Sequence, residues 1–164
     1  MDEKGCTYLS SELVPIENKL ALINALSWKY PEDGQAPLYN FNTFSDYLSK
    51  KYNQKFDLET AHLYTDHEYI CLAYLRALDD YFNMEVPYLL IQKASDDAKS
   101  TLSYNIIKSL IETQVILSDM DQWCMVWKNY DSVINNKTFA TDLGDGVIKN
   151  ISSYMLSYKY YCKK

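Results

Sequence analysis

Residues 65–84 read TDHEYICLAYLRALDDYFNM, and this stretch decides the fold class. Thr65 followed three residues later by Glu68 is a capping-box pattern, in which the two side chains satisfy free backbone N–H groups in a helix's first turn. Apolar residues then recur at helical spacing along two adjacent lines. These lines are Ile70, Tyr74, Ala77 and Tyr81, and Cys71, Leu75, Leu78 and Phe82. The pattern predicts a central helix from Thr65 to Met84 with a wide apolar face.

Four of the charged residues of this stretch are expected on the rim of that apolar face, in contact with water. They are Glu68, Arg76, Asp79 and Asp80. Charged side chains are rarely buried unless they are paired, and the sequence alone identifies no partner for them. We therefore expect the central helix to be the most buried one, with an acidic border.

The flanking sequence predicts further helices. Pro15 and Pro31 bracket a helix over 16–30, because proline is tolerated in the first turn and ends a helix that reaches it. Helical periodicity also covers 42–52, and Ser95 or Asp96 is expected to cap a long helix reaching about Leu117. Ser118 with Asp121 resembles an acidic capping box for a helix reaching Ile134, and a last helix ends near Cys162. Periodicity leaves 86–91 undecided between a short helix and an extended connection.

The low content of glycine and proline favours long helices over sheets. Only four glycines and four prolines occur in 164 residues, which is too few for the many tight turns of an all-β fold. No internal repeat, linker or shift in composition divides the chain. The sequence predicts an all-α fold, a single compact bundle of five to six helices, with residues 1–164 as a single helical domain.

Composition sets the broad class. An apolar fraction of 48% is typical of a globular protein. No apolar run approaches the roughly 18–20 residues that a membrane helix needs. The opening Met1-Asp2-Glu3-Lys4-Gly5 lacks the basic and then apolar layout of a signal peptide. We therefore expect a cytoplasmic protein that does not bind membranes.

The four cysteines lie at positions 6, 71, 124 and 162, without a CxxC pair. Their wide spacing argues against a zinc knuckle or a redox motif. In a reducing compartment we expect free thiols, with Cys71 and Cys124 acting as small hydrophobic residues on apolar helix faces.

The net charge of −6 is unevenly distributed. Residues 57–131 carry 13 acidic and 5 basic side chains, and within residues 57–85 the only cation is Arg76. Nucleic acid would be repelled, because phosphate binding depends on lysine and arginine. A basic partner would be attracted. The carboxyl-terminal tail alternates tyrosine and lysine, but it has no arginine, so tyrosines that fill helix seams explain it better than base stacking.

No catalytic pattern emerges from the sequence. His62 and His67 are five residues apart, which does not place them on one helix face, and no HExxH, GxSxG or GxGxxG sequence occurs. We expect no metal, no cofactor and no enzymatic activity. An enzyme whose site is assembled from distant residues, such as a carboxylate with His62, remains an alternative.

A small acidic chain without catalytic motifs but with 16 tyrosines suits a protein that binds another protein. The leading hypothesis is an inhibitory, immunity-type protein that neutralises a basic, nuclease-like bacterial toxin. The predicted binding residues are Asp66, Glu68, Tyr69, Asp79, Asp80, Tyr81 and Glu85. The alternative is a viral host-modulating bundle of apoptosis-inhibitor shape, which binds an amphipathic helix in a groove. The oligomeric state cannot be predicted.

Overall fold

The computed structural model describes residues 1–27, 39–58 and 63–163. These residues contain nine α-helices, two short 3₁₀-helices and no strand, so the all-α prediction is confirmed and the helix count is higher than expected. They form two compact units, residues 1–95 and 96–164. The single domain spanning 1–164 stays a prediction.

No helix among the described residues is both long enough and apolar enough to span a membrane.

The first unit contains five helices. They are α1 (Glu3–Ser10), α2 (Ile16–Ser27), α3 (Tyr39–Lys51), α4 (Asp66–Asp79) and α5 (Glu85–Gln92). Helix α1 was not anticipated from the sequence; it is capped by Asp2, whose carboxylate accepts a 2.9 Å hydrogen bond from the Gly5 amide. The observed α2 follows Pro15 as predicted, and the predicted end near Tyr30 lies outside the described residues.

Helix α4 is the centre of the first unit. It buries nine of its fourteen residues and packs against α1, α2, α3 and α5. The predicted capping box is present: the Thr65 hydroxyl accepts from the Glu68 amide, and the Glu68 carboxylate accepts from the Thr65 amide. Fully buried aliphatic side chains such as Leu72 and Leu75 contribute roughly 1.5–3 kcal/mol each to folding.

Helix α4 ends earlier than the sequence predicted, and this changes what lies at the surface. It ends at Asp79 rather than Met84. Beyond that residue the helical period no longer applies, so Tyr81 and Phe82 do not continue the buried lines but lie in an exposed turn. The undecided segment 86–91 is helical and belongs to α5, in which Pro87 sits in the first turn, where it removes no helical hydrogen bond.

The second unit contains α6 (Asp96–Lys99), α7 (Leu102–Gln114), α8 (Trp123–Ile134) and α9 (Asp145–Lys159), with 3₁₀-helices at Met120–Gln122 and Tyr160–Lys163. The single long helix predicted over 95–117 is therefore wrong. The helix is interrupted between Lys99 and Leu102, because the Ala140 backbone pairs with this segment. The Ala140 amide donates to the Ser100 carbonyl at 2.8 Å, and the Ala140 carbonyl accepts from the Leu102 amide at 2.9 Å. The Thr101 side chain caps α7.

The capping box predicted at Ser118 is also wrong. Asp119 caps the 3₁₀-helix instead, accepting from the Asp121 amide at 3.0 Å. The carboxylate of Asp119 has a lowered pKa because it accepts from Gln122 and from the Asp121 backbone. One core of the unit surrounds Leu102, Ile106 and Leu143, and the other surrounds Val126, Tyr130 and Met155.

The expectation of four free thiols is wrong for one pair. Cys124 in α8 and Cys162 in the last 3₁₀-helix form a disulfide across 38 residues of sequence. Cys6 and Cys71 are free and buried. The spacing of the cysteines along the sequence did not indicate this disulfide. The two residues meet because helices α8 and α9 pack together and bring distant positions into contact.

Candidate protein-binding surface

The structure separates the seven predicted binding residues into an interior group and a surface group. Glu68 and Tyr69 are buried, and Glu68 has no exposed surface (0%). These two side chains therefore cannot reach a partner in the folded unit, and their placement on the helix rim is corrected. Asp66, Asp79 and Asp80 are half-buried, while Tyr81 and Glu85 are exposed.

The interior group is organised around the Glu68 carboxylate. Oε1 accepts from Ser10 at 2.7 Å and from Lys51 at 2.9 Å, and Oε2 accepts from Tyr52 and from the Thr65 amide, both at 2.9 Å. Burial raises the pKa of this carboxyl, but these four donors outweigh burial and the net pKa is lowered. Glu68 is thus an ionised buried anchor that joins α1, α3 and the start of α4.

A buried lysine lies near this carboxylate. Lys19 on α2 is only 1% exposed, and its ammonium nitrogen lies 3.5 Å from Nδ1 of His67. Burial lowers the pKa of Lys19, and attraction to the Glu68 carboxylate opposes that shift. Burial also raises the pKa of the Cys71 thiol to about 12, so this cysteine is not a nucleophile at neutral pH.

The Glu68 carboxylate at the centre of this polar cluster has no exposed surface. The groove with a volume of about 580 Å³ lies elsewhere in the first unit, along α3 and the turn after it, between Phe41 and Phe56. None of the cluster residues lines it. Within the described residues, no group of three or more His, Cys, Asp or Glu side chains is placed to bind a metal. His62, the residue on which the dispersed-site alternative rests, lies outside the described residues.

Three of the predicted acidic residues hold the local structure together. Asp79 accepts from the Phe41 amide at 2.7 Å and so caps the beginning of α3, much as an N-cap side chain does. Asp66 accepts from the Ser95 amide and hydroxyl, both at 2.7 Å. Asp80 forms a 3.1 Å ion pair with Arg76.

Arg76, expected on the rim, is buried. Its guanidinium lies against the Phe41 ring, with 6.0 Å between Cζ and the ring centroid, and it pairs with Asp80 four residues along. The aromatic ring and the carboxylate offset only part of the loss of hydration of the cation, because the buried Nη1 makes an ion pair with Asp80 but no hydrogen bond. The arginine therefore neutralises Asp80 locally and fixes the end of α4.

The exposed residues Tyr81 and Glu85 belong to an apolar and acidic surface around the α4–α5 turn. We call it the turn surface; it comprises Tyr81, Phe82, Glu85, Tyr88 and Leu89. Phe82 is 99% exposed and Tyr81 is 47% exposed. Glu85, Tyr88 and Leu89 share one exposed face of α5, because residues three and four apart on a helix are neighbours.

The turn surface is carried on a firmly packed support. Met84, Pro87, Leu90 and Ile91 are buried, and α5 packs along α4. The Asp80 carboxylate also accepts from the Phe82 amide at 3.3 Å, which shapes the turn. The exposed aromatic rings therefore project from an ordered turn.

Sequence reasoning missed Phe82, Tyr88 and Leu89 as surface residues. The first was assigned to a buried line of a helix that stops too early to include it, and the other two lay in the undecided segment. The available signal was Asp79-Asp80 followed by Asn83, since these residues favour turns.

Comparison with known proteins adds no relative: no family model, no curated protein and no solved structure matches this chain.

Proposed function

We propose that this chain is a non-enzymatic protein-binding protein that uses the turn surface to contact a basic partner. The observation that carries the proposal is Phe82, a large apolar side chain that is 99% exposed at the tip of an ordered turn. Burying an exposed phenylalanine contributes roughly 1.5–3 kcal/mol, and a partner that covers Phe82 gains this free energy.

The neighbours of Phe82 suit an interface. Tyr81 and Tyr88 offer large contact areas, and tyrosine loses little rotamer entropy on binding. Leu89 extends the apolar centre, and the exposed Glu85 places a carboxylate at its rim. An apolar centre with a charged border is the usual anatomy of a protein-binding patch.

Charge determines the class of partner. Residues 1–95 carry 14 acidic and 8 basic side chains. A surface in this unit attracts basic proteins at long range, which accelerates association, and the attraction weakens as salt screens it. A nuclease-like toxin is a basic partner of this kind, because its own surface must attract phosphates. The specific form of our proposal is an immunity-type protein that acts in the cytoplasm, where such a toxin finds nucleic acid.

The test of the surface compares two exposed apolar residues of the first unit. Phe82→Ser removes the centre of the turn surface, whereas Leu13→Ser removes a side chain that is 94% exposed far from it in sequence. Partners are captured from the native host by cross-linking with the unmodified chain and identified by mass spectrometry. We expect a basic protein whose affinity falls about tenfold or more with Phe82→Ser and stays unchanged with Leu13→Ser.

The electrostatic part is tested with a matched pair of charge reversals. Glu85→Lys alters the turn surface, and Glu12→Lys makes the same change in net charge at another exposed position. Stopped-flow association at low and high salt should show slower association only for Glu85→Lys, with the difference vanishing at high salt. Equal effects of both variants would mean that only net charge matters.

The immunity-type form has its own test. The captured partner is expressed in cells with and without this chain, and growth is measured. Rescue by the unmodified chain and failure of rescue by Phe82→Ser support neutralisation. If the partner does not impair growth, the immunity-type form of the proposal is rejected. The binding surface is then tested only by the affinities of Phe82→Ser and Leu13→Ser.

A further inference from the structure

The disulfide of the second unit joins the start of α8 to the carboxyl-terminal turn. Cys124 lies in the first turn of α8, and Cys162 lies in the 3₁₀-helix Tyr160–Lys163 that follows α9. Their Cα atoms are 4.7 Å apart. The bond therefore holds the end of the described chain against α8.

Aromatic contacts surround this bond. The Trp123 ring meets Tyr158 edge-on at 5.8 Å and Tyr161 at 4.7 Å between ring centroids. The Lys159 ammonium lies 4.8 Å from the centroid of the Trp127 ring. Each contact of this kind is weak, so together they orient the turn but do not fix it firmly.

The attachment of α9 to its unit changes along its length. Met155 is buried in a core with Val126 and Tyr130. From residue 156 to residue 162 every side chain is at least partly exposed, and Tyr160 is 71% exposed. A segment with few buried contacts opens locally at low free-energy cost, whereas the segment anchored by Met155 stays packed.

We propose that the Cys124–Cys162 disulfide is a redox latch, which holds the carboxyl-terminal turn closed over Trp123 and releases it when small thiols reduce the bond. In the reaction one thiolate attacks a cysteine sulfur and forms a mixed disulfide, and a second thiol resolves it. The balance is one protein disulfide plus two RSH giving two protein thiols plus RSSR. The protein gains two electrons and two protons, and both come from the thiols.

The latch is selective among the four cysteines. Cys124 and Cys162 are only half-buried, so a small thiol can approach the bond. Cys6 and Cys71 are buried free thiols, and burial raises the pKa of both, so neither exchanges readily with the disulfide. In a thiol-rich compartment the latch is open, and under oxidising conditions it is closed. The latch lies in the second unit and does not depend on the turn surface.

The experiment uses the full chain oxidised with glutathione disulfide, compared with the same sample after reduction by dithiothreitol. Thiols are alkylated under native conditions and mapped by mass spectrometry, and hydrogen–deuterium exchange is followed by peptide. We expect Cys124 and Cys162 to become alkylated only after reduction. Exchange in residues 158–163 should then accelerate about tenfold or more, while residues 126–134 and 147–155 stay much better protected than residues 158–163.

A matched variant separates the latch from other effects of the reductant. Cys124→Ser/Cys162→Ser should show fast exchange at residues 158–163 with and without dithiothreitol. Alkylation of Cys124 and Cys162 in the oxidised sample would overturn the proposal, because no bond had formed. Unchanged exchange after reduction would overturn it as well, since the aromatic contacts alone would hold the turn. Loss of protection throughout the second unit would make the disulfide a structural staple and not a latch.

Discussion

Replacing Glu68 by glutamine tests whether one buried carboxylate organises the first unit. All four neighbouring groups donate: Ser10 and Lys51 to Oε1, and Tyr52 and the Thr65 amide to Oε2. Glutamine offers one oxygen and an NH₂ group, so two of these donors lose their acceptor. An unmatched buried group costs about 1–3 kcal/mol. Because Lys51 is 35% exposed and can regain hydration, its contribution is discounted, and we expect a loss of about 3 kcal/mol in the free energy of unfolding.

The pH dependence of this loss has a defined direction. The pKa of Glu68 is lowered in the folded protein, because its four donors outweigh the effect of burial. A carboxyl with a lowered pKa stabilises the fold fully above its unfolded pKa of about 4.3, and this stabilisation disappears as the pH falls through the folded value. The difference in stability between the unmodified chain and Glu68→Gln should therefore be constant near neutral pH and shrink below about pH 4.

The assay is urea unfolding followed by circular dichroism, with hydrogen–deuterium exchange of α4 peptides to assign the loss to the first unit. Glu85→Gln removes the same charge from an exposed position and should change stability by no more than about 0.5 kcal/mol. A loss below about 1 kcal/mol for Glu68→Gln, or one equal to that of the control, would refute the anchoring role of the carboxylate.

The remaining predictions concern the surface, a helix cap and the cysteines. Phe82→Ser should change the free energy of unfolding by no more than about 0.5 kcal/mol, because the side chain is 99% exposed in the free chain; a larger loss would show that it supports the fold. Asp79→Ala removes the acceptor at the start of α3 and should lower stability by about 1–2 kcal/mol in the same assay. Reduction of Cys124–Cys162 opens a loop of 38 residues and should lower the stability of the second unit by at most about 4 kcal/mol, as measured by urea unfolding with and without dithiothreitol. Cys71 has a thiol pKa of about 12 and should resist iodoacetamide at pH 8 in the folded chain; alkylation within minutes would contradict its burial.

Local patterns in the sequence were sufficient for the class of secondary structure. The capping box at Thr65 and Glu68 depends on residues three apart, and it forms as predicted. Pro15 likewise precedes α2 as expected. The ends of helices were harder to predict. Helix α4 stops at Asp79, because its end depends on the turn that allows α5 to pack back along α4.

The dependence on tertiary packing also explains the errors in the predicted binding residues. Glutamate is usually found at the surface, and nothing near Glu68 in the sequence reveals that Ser10, 58 residues away, contacts it. Phe82 shows the reverse case, since its apolar side chain and spacing predicted burial. The turn surface could not be recognised until the end of α4 was known.

The sequence by itself determined that this protein is helical, that residues 57–131 are acidic, and where several helices begin, because these properties depend on composition and on residues within one helical turn. Only the tertiary structure decided which charged residues are buried anchors and which aromatic residues are exposed. It also decided that Cys124 meets Cys162. Burial and pairing depend on contacts between residues tens of positions apart, and helix packing creates those contacts without leaving a local signal in the chain.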